Sequence, residues 1–395
     1  MNPDISRHWL LEPGLRYLNH GSFGACPRVV LDEQARWRAR LEENPVRFML
    51  DEVPGALERA RTELARFLGA TPEGIVFIRN ATEGANAVLR SIKWATGDEI
   101  VTTSHDYNAV RNVMRALESE ERVKIIIAEV PFPLSGEDEV IRSVEACLST
   151  RTKLLVLDHI TSPTALIFPI EKLIAIATQG GIATLIDGAH APGMLPLSLS
   201  TLGATYYVGN LHKWVCAPKG AAFLYAAAHA REALLPSVIS HGYNCTFSAS
   251  RYQSLFDWPG TLDPTAWLSV PKALEWLSAQ DPNGFSGIMR RNRDRALEAR
   301  ALLKEALEVA LPAPESMIGS MATLPLPPSN IASRSALEID PIQRALFDRA
   351  RIVVPIFSWP LQPLRVLRVS AQIYNDRSDY EALAALIPSL LSSPA

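Results

Sequence analysis

Two short stretches bring together the residue types that covalent amine chemistry needs. The first reads Ile186-Asp187-Gly188-Ala189-His190-Ala191-Pro192-Gly193 and the second Tyr207-Val208-Gly209-Asn210-Leu211-His212-Lys213-Trp214. Each leaves an apolar, strand-like run through a turn, so Asp187 and Lys213 stand at strand ends. A lysine amine can hold an aldehyde carbon covalently and later carry a proton, while an acid beside a pyridine nitrogen keeps the ring an electron sink. Lys213 and Asp187 match those two needs of pyridoxal 5′-phosphate (PLP). Taken singly, each residue has a plainer use, Asp187 as a helix cap and Lys213 as a solvated surface lysine. The setting of Lys213, in a turn beside Trp214 and apolar neighbours, argues against the second.

A cofactor phosphate also needs donors. Arg79-Asn80-Ala81-Thr82-Glu83-Gly84 joins a strand to a helix, with Asn80 as a natural cap and free N–H groups behind it. Helix N termini attract phosphate, although on its own this stretch reads as an ordinary capped helix.

The elements around these stretches follow a βαβ rhythm. Short β-rich runs at 75–78, 99–103, 124–129, 153–158, 183–187, 204–209 and 221–225 alternate with helical stretches. Near-continuous apolar runs such as Leu154-Leu155-Val156-Leu157 suit a mainly parallel sheet buried on both faces. Ligands of such sheets sit beyond the carboxyl ends of the strands. After about residue 265 the pattern changes to a long helix over 292–311, strands at 352–357 and 364–370, and a last helix from Ser378, as in a smaller α+β domain. The Pro-rich stretch 311–315 reads as a turn between elements.

Composition bounds the partners. The chain has 395 residues, 48% apolar and 21% charged, which predicts two domains with a cleft and no long disordered tail. A net charge of -3 without a Lys/Arg run argues against nucleic acid. Charges in the first 18 residues and the lack of a long apolar run predict a cytoplasmic protein with no membrane contact. Cys26, Cys147, Cys216 and Cys245 lack metal-ligand or disulfide spacing, so no metal is expected. No G-x-G-x-x-G follows a strand, which disfavours a dehydrogenase.

Across nearly its whole length the chain resembles the class V aminotransferase family, fold-type I PLP-dependent enzymes, most closely the isopenicillin N epimerase-like branch. The resemblance rests on Tyr17-Leu18-Asn19-His20-Gly21-Ser22-Phe23-Gly24, Ser104-His105-Asp106-Tyr107, Asp187-Gly188-Ala189-His190-Ala191-Pro192-Gly193, His212-Lys213-Trp214, Gly260-Thr261-Leu262-Asp263-Pro264-Thr265 and Leu367-Arg368-Val369-Ser370. It implies a large PLP-binding domain over 16–265 with a mainly parallel seven-stranded sheet. A smaller α+β domain over 266–395 would follow, with 1–15 packing on it.

It also implies roles. Lys213 would carry the cofactor, Asp187 would pair with its ring nitrogen, His190 would lie near the ring and Tyr107 would stack on its exposed face. Ala81 and Thr82 would hold the phosphate, with Asn210 and His212 close by; Asn210 stands where relatives often have serine. Ser162 would donate to the phenolic oxygen where many relatives have asparagine. Gly260 and Thr261 would reach the phosphate of a neighbouring subunit, making a homodimer. Arg368 would receive the substrate carboxylate, a task that suits its planar fork, with Asn19 and His20 lining the substrate pocket. Arg365 reads as a surface or structural residue.

Epimerisation needs proton delivery to both faces of Cα, with Lys213 on one and Tyr107 or His105 on the other. Elimination needs Lys213 and a leaving group. The resemblance therefore implies an epimerase acting on an amino acid or peptide-like amine. A carbon–sulfur lyase or aminotransferase is the alternative, and a non-catalytic PLP-binding protein is disfavoured. A cysteine desulfurase is also disfavoured, because the stretch 331–340 lacks the cysteine such relatives carry there. Cys245, in a polar run, reads as a passive loop thiol.

Overall fold

The computed structural model describes residues 3–121, 123–329 and 338–392. Twelve strands are found among them: β1 Arg16–Tyr17, β2 Ile75–Ile78, β3 Glu99–Thr103, β4 Lys124–Ala128, β5 Thr152–Asp158, β6 Ala183–Asp187, β7 Tyr206–Asn210, β8 Ala222–Ala226, β9 Met321–Leu326, β10 Ile352–Val353, β11 Ile356–Ser358 and β12 Arg365–Ser370. Seven form one sheet in the order β2-β8-β7-β6-β5-β3-β4. All neighbours from β7 to β4 are parallel, and β8 runs antiparallel to β7 and β2. The fold is α/β with a large, mainly parallel sheet and a smaller C-terminal sheet, as the sequence predicts.

The apolar runs explain why the sheet is buried on both faces. Along β5, Leu155 and Leu157 join one core with Ile186 and Tyr207, while Leu154 and Val156 join another with Leu185 and Val208. Side chains alternate between faces, so a run apolar at every position has a core on each side. Because β2 and β7 both oppose β8, strands β2 to β7 all end at one edge. Asp158, Asp187 and Asn210 are the last residues of β5, β6 and β7. The β2 end leads to Asn80, and the β3 end to the segment carrying Tyr107.

The C-terminal sheet has the order β11-β12-β9, all antiparallel, and packs against helix Gly284–Leu307, on which helix Arg377–Ser392 packs in turn. A two-stranded parallel pair, β1 with β10, ties the N-terminal segment to the C-terminal one. Three details depart from the sequence reading. The run 352–357 breaks at Val354-Pro355 into β10 and β11, because Pro355 has no N–H for a ladder. Strand β9 is legible only in the structure; its Pro325 disguises it and is tolerated because β9 is an edge strand. The long helix spans Gly284–Leu307 rather than 292–311, its start masked by Gly284 and Gly287 and its end set by Glu308 with φ 53°.

One buried ion pair locks the helix Val53–Leu68 to β2 and to the helix Arg251–Asp257. Arg61, fully buried, donates through Nη2 to Asp257 Oδ2 at 2.5 Å and through Nη1 to Ile75 O at 2.9 Å. Removing one partner of such a pair strands a buried charge. Asp257→Ala is expected to cost ~3–5 kcal/mol in urea unfolding, whereas Glu58→Ala, which removes the half-exposed partner of the same arginine, should cost under ~1 kcal/mol.

Candidate active site

Lys213 lies in the turn after β7, and its Nζ is 3.1 Å from His190 Nε2. Trp214 Nε1–H donates to His190 Nδ1 at 3.4 Å, which leaves the His190 proton on Nε2 pointing at the lysine. That contact is satisfied when the amine is neutral and accepts. Burial and the positive charge of Arg368 lower the Lys213 pKa to about 7, against the opposing pull of Asp187 and Asp158. Burial and Lys213 likewise hold His190 well below the usual imidazole range.

Asp187 is 4% exposed, and its Oδ1 accepts from Ala189 N at 2.9 Å. Beside it, in register on β5, stands Asp158, equally buried, with Oδ2 unpartnered among the described residues. Burial raises both carboxyls. For Asp158 the charges of Asp187 and Asp106 add to the rise; for Asp187 the Ala189 N–H and Lys213 oppose it. Sequence alone does not single out Asp158 as a candidate, although Leu157-Asp158 and Ile186-Asp187 repeat one strand-end pattern that signals it.

Arg368 comes from β12 and is 1% exposed. Nη1 donates to Ser162 O at 2.7 Å and Oγ at 3.3 Å; Nη2 donates to Ser22 Oγ at 2.7 Å and reaches Asn19 Oδ1 at 3.5 Å. The guanidinium carbon lies 5.0 Å from the centre of the Phe357 ring. Among the described residues no carboxylate pairs with it, and its Nε has no partner. A buried cation held only by neutral oxygens is short of one negative charge, so this is a place for an anion. Ser162, expected beside a cofactor oxygen, accepts from Arg368 through its carbonyl and hydroxyl oxygens, which leaves its O–H free to donate, and Asn19 and Ser22 stand with it. Arg365 instead pairs with Asp340 at 2.9 Å, outside the site.

At the β2 end, Asn80 Oδ1 accepts from Glu83 N at 2.9 Å and caps the helix Ala81–Ser91. Asn210 Oδ1 accepts from Ala81 N at 2.9 Å. The N–H and hydroxyl of Thr82 donate to no protein group among the described residues, leaving them for an anion. His212 turns Nδ1–H to Ala221 O at 3.0 Å. The exposed Thr261 lines a cavity of about 180 Å³ with Arg79, Glu83 and Trp267.

Tyr107 is 43% exposed, and its hydroxyl has no hydrogen bond among the described residues. Burial of its ring and the charge of Asp187 raise its pKa, against Arg368, so it keeps its proton at neutral pH. His105 is walled in, with Nδ1 2.8 Å from Thr164 Oγ1 and Nε2 3.1 Å from Val130 O. Neither nitrogen is free to meet a substrate, which separates the two acids named from sequence. His20 is fully buried with both ring nitrogens engaged, under Lys213 rather than at a pocket surface. Cys245 is exposed and has no polar contact with the Lys213 cluster among the described residues. Residues 331–337 of the stretch that lacks a cysteine lie outside the described ones.

A family model described as Aminotransferase class-V matches residues 17–383. The chain is 34% identical, over 96% of both sequences, to an isopenicillin N epimerase of Amycolatopsis lactamdurans. It is 29% identical to a probable chloroplastic L-cysteine desulfhydrase of Arabidopsis thaliana, over 98% of this chain and 85% of that one. Among solved structures it is similar to a lysine-to-alanine mutant of C-DES with glycine covalently linked to its PLP cofactor. The TM-score is 0.83 at 19% identity, covering 97% of this chain and 98% of that one, a likeness of fold.

The charges around Lys213 pull its titration in opposite directions. Rates of Lys213 acylation by a small reagent, followed against pH by peptide mass spectrometry, should fall as pH drops through about 7, where the amine protonates. Arg368→Met removes a repelling charge and should move the midpoint upward. Asp187→Asn removes an attracting one and should move it downward.

Proposed function

The chain belongs to the class-V aminotransferase family, and from that premise we propose that it carries PLP on Lys213 and acts at the α-carbon of an amino acid or peptide-like amine, as an isopenicillin N epimerase-like enzyme. The observation that carries the reading is Arg368, buried without a carboxylate partner among the described residues and close enough to depress the Lys213 amine. A substrate carboxylate would supply the missing charge. The residues fit the cofactor: an amine that is neutral near pH 7, buried Asp187 for the ring nitrogen with Asp158 behind it, and the unengaged Thr82 donors for the phosphate. His190, Asn210 and His212 border the same space. Tyr107 supplies a ring face, and Ala81 and Ser162 shape the site through Asn210 and Arg368.

PLP, when bound, draws off the electron pair left on Cα as a proton leaves. The chain does the rest. Arg368, steadied by Asn19, Ser22 and Ser162, fixes the substrate carboxylate and so the face of Cα presented to Lys213. Lys213 Nζ, freed of its proton near neutral pH, takes the α-proton. The protonated Tyr107 hydroxyl returns one to the opposite face, which inverts the centre. Elimination would need only Lys213 and a leaving group on the substrate, and the likeness to a cysteine desulfhydrase supports a carbon–sulfur lyase as the second reading.

The same reading makes the protein a cytoplasmic homodimer, with Gly260 and the exposed Thr261 reaching the neighbouring subunit's phosphate. No helix among the described residues is long and apolar enough to cross a membrane. It also divides the chain into domains at 16–265 and 266–395, with the first 15 residues on the second. The 4.9 Å contact between the Trp9 and Tyr374 rings supports that last placement.

Incubating the enzyme with a panel of amino acids in D₂O, against Lys213→Ala as blank, tests the reading. Deuterium in both enantiomers is the expected result. Tyr107→Phe should slow inversion by ~10²-fold or more while leaving exchange of the α-proton through Lys213. Release of a thiol with ammonia and a keto acid would establish the lyase reading in its place, and chemistry indifferent to Lys213 would remove both.

A further inference from the structure

His20 sits directly beneath the turn that carries Lys213. Its Nε2 is 2.9 Å from Lys213 O, and since a carbonyl only accepts, Nε2 carries the ring proton. Nδ1 is then the acceptor, and it receives the Tyr374 hydroxyl at 2.8 Å and, more distantly, Ala25 N–H at 3.4 Å. Burial lowers the His20 pKa to about 3, so the ring is neutral and this tautomer is fixed. Around it, Gln372 Nε2 lies 3.3 Å away and Cys216 Sγ 3.7 Å; Asn292 Nδ2 donates to Gln372 Oε1 at 3.0 Å and holds that amide in turn. The Trp214 ring centre is 5.1 Å from that of His20. Every polar atom of this imidazole is therefore committed, and one of its bonds ends on the backbone of the lysine itself.

We infer that His20 is a positioning residue for Lys213: its Nε2–H bond to the Lys213 carbonyl, oriented by Tyr374, fixes the turn and thereby the place of the amine. The inference rests on Lys213 being the cofactor-bearing residue. It gives His20 a different task from lining a substrate pocket, since no part of the ring is exposed. The groups that face the amine are Asp187 from β6, His190 from the turn after it, Asp158 from β5 and Arg368 from β12. His20 faces none of the lysine's charge. It acts only through the backbone, by keeping Nζ inside that enclosure and away from water.

The test reads the cofactor-free protein. Acylation of Lys213 is followed against pH in wild type, His20→Phe, His20→Gln and Tyr374→Phe. Phenylalanine keeps the ring packing and loses the donor; glutamine keeps an amide N–H for the carbonyl and an oxygen for Tyr374. In His20→Phe the loosened amine gains water, so its midpoint should rise by about one pH unit, a ~10-fold slower reaction below the midpoint. His20→Gln should stay within ~3-fold of wild type. A wild-type midpoint in His20→Phe, or a shift in His20→Gln as large as in His20→Phe, would overturn the inference. If His20→Phe does not fold, Tyr374→Phe decides: an upward shift supports the inference and an unchanged midpoint overturns it. Separately, borohydride treatment of wild type with PLP should fix the cofactor on Lys213; its absence there would sink the cofactor reading, a result distinct from anything in the labelling series.

Discussion

The site depends on one constraint: an amine must be kept out of water, among charges that do not fully neutralise it. Lys213 is pulled up by Asp187 and Asp158 and pushed down by burial and Arg368, and the balance leaves it near neutrality. A lysine in water would be protonated at that pH and useless as a base or nucleophile. The parallel sheet makes this balance possible. Only parallel neighbours bring the ends of β5, β6 and β7 to one edge, so that Asp158, Asp187 and the turn bearing Lys213 meet without any of them leaving its strand or the turn beside it.

Arg368 closes the balance from the other sheet. Its surroundings are oxygens without charge, which hold a guanidinium in place but do not compensate it. Each buried cation therefore makes the other costlier, and an anion entering between them relieves both. Any anion bound at Arg368 would therefore be linked to the protonation state of Lys213: it would screen the repulsion and raise the amine's affinity for a proton.

Much of this was legible in the sequence, for physical reasons that can be named. The strands of the main sheet announce themselves because burial on both faces demands apolar residues at every position, as in Leu154 to Leu157. The strand-end residues Asp187 and Lys213 stood out because polar groups directly after such runs are few. The small sheet was harder to see: β9 contains Pro325, and β10 and β11 are too short and too interrupted to show a period. Within the site, sequence could mark His105 and His20 as histidines near the chemistry but could not say where their nitrogens point. Hydrogen bonds to Val130 O and Thr164 in one case, and to Lys213 O and Tyr374 in the other, join residues 25 to 354 positions apart. Asp158 is hard to see in sequence because what sets it apart is Asp187 beside it in register, not its own neighbours along the chain.

The segment 19–24 shows how the two halves of the site are made to act together. Asn19 and Ser22 reach Arg368, and His20 reaches the carbonyl of Lys213. Gly24 lies so close to the lysine turn that a Cβ there would come within 2.2 Å of His212 O and 2.8 Å of the Lys213 Cα. Gly21 N–H bonds Ser370 Oγ on the arginine's own strand at 3.1 Å. The segment is itself anchored, because β1 pairs with β10 just before it. Five residues of this segment thus bear on Arg368 or on the lysine turn, and neither can shift far without displacing the other. That shared support is a more economical way to fix the reach from Arg368 to Lys213 than rigidity in each sheet separately, since an error in the packing of the two sheets is partly absorbed by a strip of chain bonded to both.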